Sequence, residues 1–370
     1  MVEDFGPLGS GFTFARFGKN FPAKMKLKKT FFLVAQIAAA ALFAGSAAAQ
    51  TTNQGGLFSI MDENDLWSNF FGPHQDRHYT HGTKLTWLAP DGWWPHTTAW
   101  LKQIPQWGIH DATGNFGFVL GQSIFTPENI LAPAPLPDDR PYAGWLYAGV
   151  LFERRQQASD HFAVMESFEL DLGVIGHGSL ADETQKLIHS WRFPEDIPQG
   201  WNNQIKDEPG LLLKYARLWR WSPTARTAKF FDLIPRIGGE AGNVAIFGTA
   251  GATARIGWNL PDDFGVQIID SPASVNGGLQ HRENPFSLCA FAAADGRLVA
   301  HDITLDGNSY RQSQSVRKYD AVNDLSWGVA IQPCAHFEIS YVQVTRSKQF
   351  SGQRRKDVFG SIDVKFMCAF

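Results

Sequence analysis

Ser361-Ile362-Asp363-Val364-Lys365-Phe366-Met367-Cys368-Ala369-Phe370 alternates almost strictly between two faces. Ile362, Val364, Phe366, Cys368 and Phe370 share one face; Ser361, Asp363 and Lys365 share the other. A period of two marks a strand with different surroundings on its two sides. As the edge of a soluble sheet, this strand would leave an aromatic face bare and open to aggregation. As the closing strand of a barrel in lipid, it turns that face to hydrocarbon. Ser167 to Ile175 repeats the pattern, with Phe168, Leu170, Leu172 and Val174 opposed to Ser167, Glu169 and Asp171. Two carboxylates on an inner face suit a polar lumen better than a packed soluble core.

The same reading along the chain gives about twelve strand-like segments, an even number as closure of a bacterial barrel requires. They fall at 57–64, 79–88, 115–125, 144–155, 162–175, 210–221, 228–241, 245–259, 286–300, 322–332, 335–346 and 358–370. The fold class is therefore all-β, an antiparallel transmembrane β-barrel. One segment departs from it. Ser179-Leu180-Ala181-Asp182 predicts a helix start with Ser179 as cap, continuing through Trp191 and ending before Pro194. With both termini periplasmic, the odd-to-even connections are extracellular: 65–78, 126–143, 176–209, 242–244, 301–321 and 347–357. The short helix, the polar stretch at 62–82 and the loop around Asp139-Arg140 then meet on one outer rim. The segment from Ala89 to Gly114 falls on the periplasmic side and is longer than a turn requires.

The first 49 residues are read apart from the barrel. Lys24, Lys26, Lys28 and Lys29 precede Phe31-Phe32-Leu33-Val34 and an alanine-rich run, and Ala47-Ala48-Ala49 precedes Gln50. This is the pattern of an export signal, with Met25 as a start, cleavage after Ala49 and the barrel spanning 50–370. Residues 1–49 hold six of the 33 basic and two of the 36 acidic residues, which leaves the remainder at a net charge of −7. Nucleic acid is excluded as a partner on that balance. Cys289, Cys334 and Cys368 have neither metal-ligand spacing nor an even count, so no disulfide framework is implied.

Chemistry concentrates at the ends of the first two strands. Asn64 and Asp65 offer hard oxygen ligands of the kind calcium takes, although alone they read first as a turn. Gln185 and His189 lie four apart on the helix and so share a face. An imidazole there suits a general base, and equally an ordinary surface residue. Thr80 returns beside Glu63 to Asp65 in the first hairpin. Arg77 and Arg140 each follow an aspartate; they pair with it or present a guanidinium fork to phosphate. His81 and His177 share the same rim.

Together, several motifs resemble the outer-membrane lipid A 3′-O-deacylase family, the LpxR-like barrels. They are Glu63-Asn64-Asp65, Asp76-Arg77 with Tyr79-Thr80, Asp139-Arg140-Pro141-Tyr142-Ala143-Gly144-Trp145, Asp171 to Gly176, Glu183-Thr184-Gln185 with His189, and Gln199-Gly200-Trp201 to Gln204. The likeness continues through Gly251-Ala252-Thr253 and Asp306-Gly307-Asn308 and covers nearly all of the chain after residue 49. The resemblance implies a barrel in the outer membrane and Ca2+-dependent hydrolysis of acyl chains ester-linked at the 3′ position of lipid A. It implies Asn64 and Asp65 as the metal and oxyanion region, supported by Thr80, with Gln185 positioning and His189 activating water. Glu195 matches a family acid across a loop of different length, and Arg77, Arg140 and Tyr142 are expected to face the substrate. Lipopolysaccharide and outer-membrane lipid are the expected partners, and a monomer is expected. Two other readings stay open: an outer-membrane phospholipase using Ser190 or Ser179 as nucleophile, and a non-catalytic barrel or channel.

Overall fold

The computed structural model describes residues 56–68, 76–90, 112–223, 230–273 and 286–368. The expected signal segment and most of the stretch at 89–114 lie outside them. Twelve antiparallel strands close into a barrel in simple meander order. They are β1 (Gly56–Asn64), β2 (His78–Leu88), β3 (Thr113–Thr126), β4 (Ala143–Ser159), β5 (Phe162–Ile175) and β6 (Glu208–Trp221). The round is completed by β7 (Phe231–Gly242), β8 (Ala245–Trp258), β9 (Ser287–Asp302), β10 (Ala321–Cys334), β11 (Phe337–Arg346) and β12 (Asp357–Cys368). Every expected strand is present within a few residues of its expected bounds. The alternating terminal strand closes the barrel by pairing with β1, from Gly56 opposite Cys368 to Asn64 opposite Gly360.

Alternation sorts side chains as the sequence predicts. Ser167, Glu169 and Asp171 are fully buried in the lumen, while Leu170 and Leu172 on the same strand are exposed outside. The outward face carries Leu211, Leu213, Ile256, Leu298, Leu325 and Trp327 among its exposed apolar residues. No helix among the described residues is long and apolar enough to cross a membrane.

Much of the buried charge in the lumen is paired. Glu169 takes Lys84 at 2.8 Å and Lys214 at 3.0 Å. Arg255 binds both Asp232 and Asp263. Asp324 is shared by Arg297 at 2.6 Å and Arg346 at 2.9 Å. Lys365 meets Glu338 at 2.9 Å. Each ion has a partner of opposite sign, which is what charge out of water requires.

The connection after β8, residues 259–273, turns back inside the barrel. Leu260, Phe264, Ile269 and Ala273 are buried there. Asp270 is gripped by Arg297 and Arg346, each at 2.7 Å, and Arg220 donates to Asp263 O at 3.0 Å. Nothing in its pattern marked this stretch as an inward plug, because its contacts are made by backbone atoms and single charges rather than by a periodic face.

Two short helices break the strands: α1 (Ala181–Arg192) and the single turn α2 (Ile303–Asp306). Helix α1 begins differently from expectation. Its N-cap is Leu180, held at φ 60°, and no side chain caps it. Ser179 instead belongs to the preceding 3-10 turn and donates its hydroxyl to Gly176 O. A branched residue in left-handed backbone costs about 1–2 kcal/mol, so this entry is imposed by packing against the wall rather than by local preference.

Candidate active site

Helix α1 lies on the outer surface of the barrel wall, at the rim that carries the β1–β2 hairpin. Ile124, on the outward face of β3, is fully buried beneath it with Ala181, Tyr142 and Trp201. Close approach is permitted at Gly144, where a Cβ would lie 2.0 Å from Ser179 Oγ and 2.3 Å from Ala181 Cβ. Gln122 of β3 ties down the helix entrance by donating to Ser179 O at 2.6 Å. The buried residues of α1 therefore face the wall: Ala181, Gln185 and His189 recur every four residues.

A chain of hydrogen bonds then fixes the polar groups. Trp201 Nε1 donates to Gln185 Oε1 at 2.7 Å, and Gln185 Nε2 donates to Asp76 Oδ2 at 3.2 Å. Indole nitrogen is a donor only, so the Gln185 carbonyl must face Trp201 and its amide must face Asp76. The same Asp76 oxygen lies 2.5 Å from His189 Nε2. Asp76 and His189 are both almost completely buried. A carboxylate against an imidazole fixes the orientation of the ring.

Asp65 stands next to this pair. Its Oδ2 accepts the Arg77 N–H at 3.0 Å, while its Oδ1 is buried and has no hydrogen-bond partner. Burial first, and then the charge of Asp76, push the Asp65 carboxyl well above the usual carboxylate range. Two carboxylates held close, with Asp65 Oδ1 unpartnered, are a donor set that a cation would suit. The donor chemistry suits Ca2+: hard oxygens from Asp65 and Asp76, with the Asn64 amide adjacent. Among the described residues, no three His, Cys, Asp or Glu side chains converge as a ready-made metal cage. Carbonyl and amide oxygens and water would have to complete the shell, as calcium sites commonly allow.

Asn64 is already engaged. Its Oδ1 accepts the Leu66 N–H at 2.7 Å, capping the short 3-10 turn Asp65–Ser68, and its Nδ2 meets His81 Nδ1 at 3.2 Å. Since the Asn64 amide donates, His81 must be protonated on Nε2, which faces Thr83 Oγ1 at 2.9 Å. The turn reading of Asn64-Asp65 is what these hydrogen bonds show.

Other expected site residues stand farther from this cluster. Thr80 bonds Thr126 Oγ1 at 2.7 Å. Arg77 lies 3.8 Å from Glu128 and 4.0 Å from Asp357. Arg140 is fully buried, with Thr304 Oγ1 at 2.6 Å and its guanidinium over the Phe125 ring. Tyr142 donates to Ile130 O at 2.9 Å and packs on Trp201 at 4.7 Å between ring centroids. Arg140 and Tyr142 thus build the scaffold rather than an open surface. Glu195 is exposed in the loop after α1, and among the described residues no hydrogen bond or ion pair holds it. Ser179 is fully buried, and Ser190 donates its hydroxyl to Leu187 O within its own helix. The sequence reading missed Asp76 as the partner of His189, having weighed Asp76 only as a neighbour of Arg77. It also missed Trp201 as the group that orients Gln185; the one available signal was that both lie in motifs quoted together.

Comparison with curated proteins finds no match. Among solved structures, LpxR from Salmonella typhimurium is similar with a TM-score of 0.64 and 19% identity, covering 84% of this chain and 100% of that one. The KdgM porin gives a TM-score of 0.37 at 6% identity, over 84% of this chain and 98% of that one. The translocator domain of autotransporter NalP from Neisseria meningitidis gives 0.36 at 11%, over 92% and 97%. The family model described as outer membrane protein LpxR matches residues 33–368, and with the barrel closed as that likeness requires, the chain belongs to the LpxR family of outer membrane proteins.

Proposed function

We propose that this chain is an outer-membrane esterase that removes the 3′-linked acyl chains of lipid A. The observation that carries the reading is the position of the Asp76–His189 pair. It is buried between α1 and the outer face of the wall, on the side of the strands that faces lipid. A soluble substrate would be served as well by a site opening into the lumen; a lipid is served by one on the outer wall. The helix-bearing rim is then the extracellular end, in reach of the outer leaflet. Trp191 in the last turn of α1 is 85% exposed, which suits the membrane interface.

In this mechanism, Asp76 and Gln185 hold the His189 ring in place. His189 takes a proton from water, whose oxygen attacks the ester carbonyl carbon. The carbonyl carbon–oxygen bond to the sugar breaks, and the imidazolium returns its proton to the departing sugar hydroxyl. Asp76 stabilises the imidazolium in between, as a carboxylate does in hydrolytic triads. Asp65, with Asp76 and Asn64 beside it, would hold Ca2+, which when bound supplies positive charge for the developing oxyanion. No serine nucleophile is involved. Glu195, at the exposed mouth, is proposed to meet the substrate only once lipid is bound.

The channel reading is opposed by residues 259–273, which occupy the lumen and are cross-linked to its wall by Asp263 and Asp270. The serine reading is opposed by the two committed hydroxyls. The direct test is acyl release from purified lipopolysaccharide with and without chelator. Release that needs Ca2+ and disappears in His189→Ala supports the reading; chelator-insensitive release removes the metal, and unchanged release in His189→Ala removes the mechanism.

A further inference from the structure

We infer that the lumen plug positions the active site, through a clamp in which Glu63 and Tyr79 tie both arms of the β1–β2 hairpin to Ile269. This rests on the site reading above. Glu63 is fully buried and faces the lumen, one residue before Asn64 and two before Asp65. Its two oxygens take two different donors. Oε2 accepts the Tyr79 hydroxyl at 2.8 Å, and Oε1 accepts the Ile269 N–H at 2.8 Å. Tyr79 sits on the other arm, three residues after Asp76. One carboxylate therefore joins the strand end carrying Asp65, the strand start carrying Asp76, and the plug.

Three features show that this junction is built in. First, the β2–β3 register skips a residue between Tyr79 and His81. Without that bulge, strand parity would point Tyr79 outward, since Gly82 opposes lumen-facing Glu63. The extra residue turns its ring inward, against Phe125 and Phe359 at 5.4 and 5.0 Å. Second, the hydroxyl needs room that only glycine leaves: a Cβ on Gly82 would lie 2.1 Å from Tyr79 Oη. Third, the plug end of the clamp is anchored on other strands of the wall, because Asp270, next to Ile269, binds Arg297 of β9 and Arg346 of β11. The clamp faces the lumen, whereas His81 and Asn64 lie on the outer face of the same hairpin, so Glu63 and Tyr79 act as positioning residues and not as groups that touch substrate.

The spacing between Asp65 and Asp76 is what a bound cation feels, and the clamp sets the two strand ends that carry them. Removing one hydroxyl from it should therefore weaken Ca2+ binding while leaving lipid recognition alone. The test uses the full barrel refolded in detergent, with Tyr79→Phe and Glu63→Gln as variants. Tyr215→Phe is the control, since it deletes a hydroxyl-to-carboxylate bond on the outward face of β5 and β6, to Glu166 at 2.7 Å, away from the hairpin. Ca2+ alone is titrated by calorimetry, and kcat and KM are measured on purified lipopolysaccharide. The expected result is a Ca2+ affinity at least tenfold lower in Tyr79→Phe, with kcat reduced and KM for lipid unchanged, while Tyr215→Phe matches the parent chain. If Glu63→Gln does not fold, Tyr79→Phe decides alone; if Tyr79→Phe does not fold, Glu63→Gln is judged by the same readouts. If the parent chain binds Ca2+ and cleaves lipid A but the clamp variants bind Ca2+ as tightly as the control, the clamp is overturned and the functional reading stands. If the parent chain neither binds Ca2+ nor cleaves, both fall.

Discussion

The lumen and the outer rim both bury carboxylates, and the clearest difference is between the ion-paired carboxylates of the lumen and the close carboxylate pair at the rim. In the lumen, Glu169 is surrounded by two lysines and Asp324 by two arginines. At the rim, Asp65 and Asp76 lie close to each other, and one Asp65 oxygen has no partner. Matched burial holds a fold together and leaves nothing to react. Mismatched burial costs stability and persists where a ligand or a reaction relieves it. The ion-paired lumen carboxylates then belong to the fold, and the close Asp65–Asp76 pair to the proposed site.

The largest effect that sharpens this contrast is catalytic. His189→Ala should lower kcat by about 100-fold to 10,000-fold with little loss of stability. Asp76→Asn should fall in the same direction, since the ring loses its orienting charge. An active but unstable His189→Ala protein would place the dyad with the lumen charges instead. The converse variant is Arg255→Ala. It strands Asp232 and Asp263 inside the barrel and should cost about 3–5 kcal/mol in denaturant unfolding, while the folded fraction keeps its kcat. Loss of turnover with unchanged stability there would erase the distinction.

Asp65→Asn should abolish the rise in melting temperature that Ca2+ gives the parent chain. In the parent, that rise should shrink as pH falls: Asp65 holds its proton unusually firmly, and a cation binds only after displacing it. A Ca2+ response independent of pH would contradict the carboxylate as ligand. The smallest effect is expected at Arg140→Lys. The lysine cannot reproduce the fork that reaches Thr304 or the stacking over Phe125, so stability should drop by about 1–2 kcal/mol with KM for lipopolysaccharide unchanged. A raised KM would restore Arg140 as a substrate contact.

Period-two alternation made the strands legible, because a barrel wall imposes one environment per face along the whole strand; Ser361 to Phe370 and Ser167 to Ile175 behave as read. Gln185 and His189 were legible as one helix face for the same reason, with period 3.6. The helix entrance was not, because packing against β4 overrides the capping preference that favoured Ser179. Nor was the Asp76–His189 pair. Its members are far apart in sequence, and Asp76 has a nearer apparent partner in Arg77, whose guanidinium in fact reaches toward Glu128 and Asp357. Arg140 was read as pairing with its aspartate or presenting a fork to phosphate; its burial was not legible, because Thr304, which its guanidinium meets, comes from distant α2. Residues 259–273 left no periodic trace, since a plug is held by single contacts rather than by a face.

The most direct measurement is mass spectrometry of lipid A from outer membranes carrying the parent chain or its His189→Ala variant. The account predicts a lipid A species lighter by its 3′-linked acyl substituent with the parent chain and full-mass lipid A with the variant. Identical spectra from the two membranes, whether both full-length or both shortened, would contradict it.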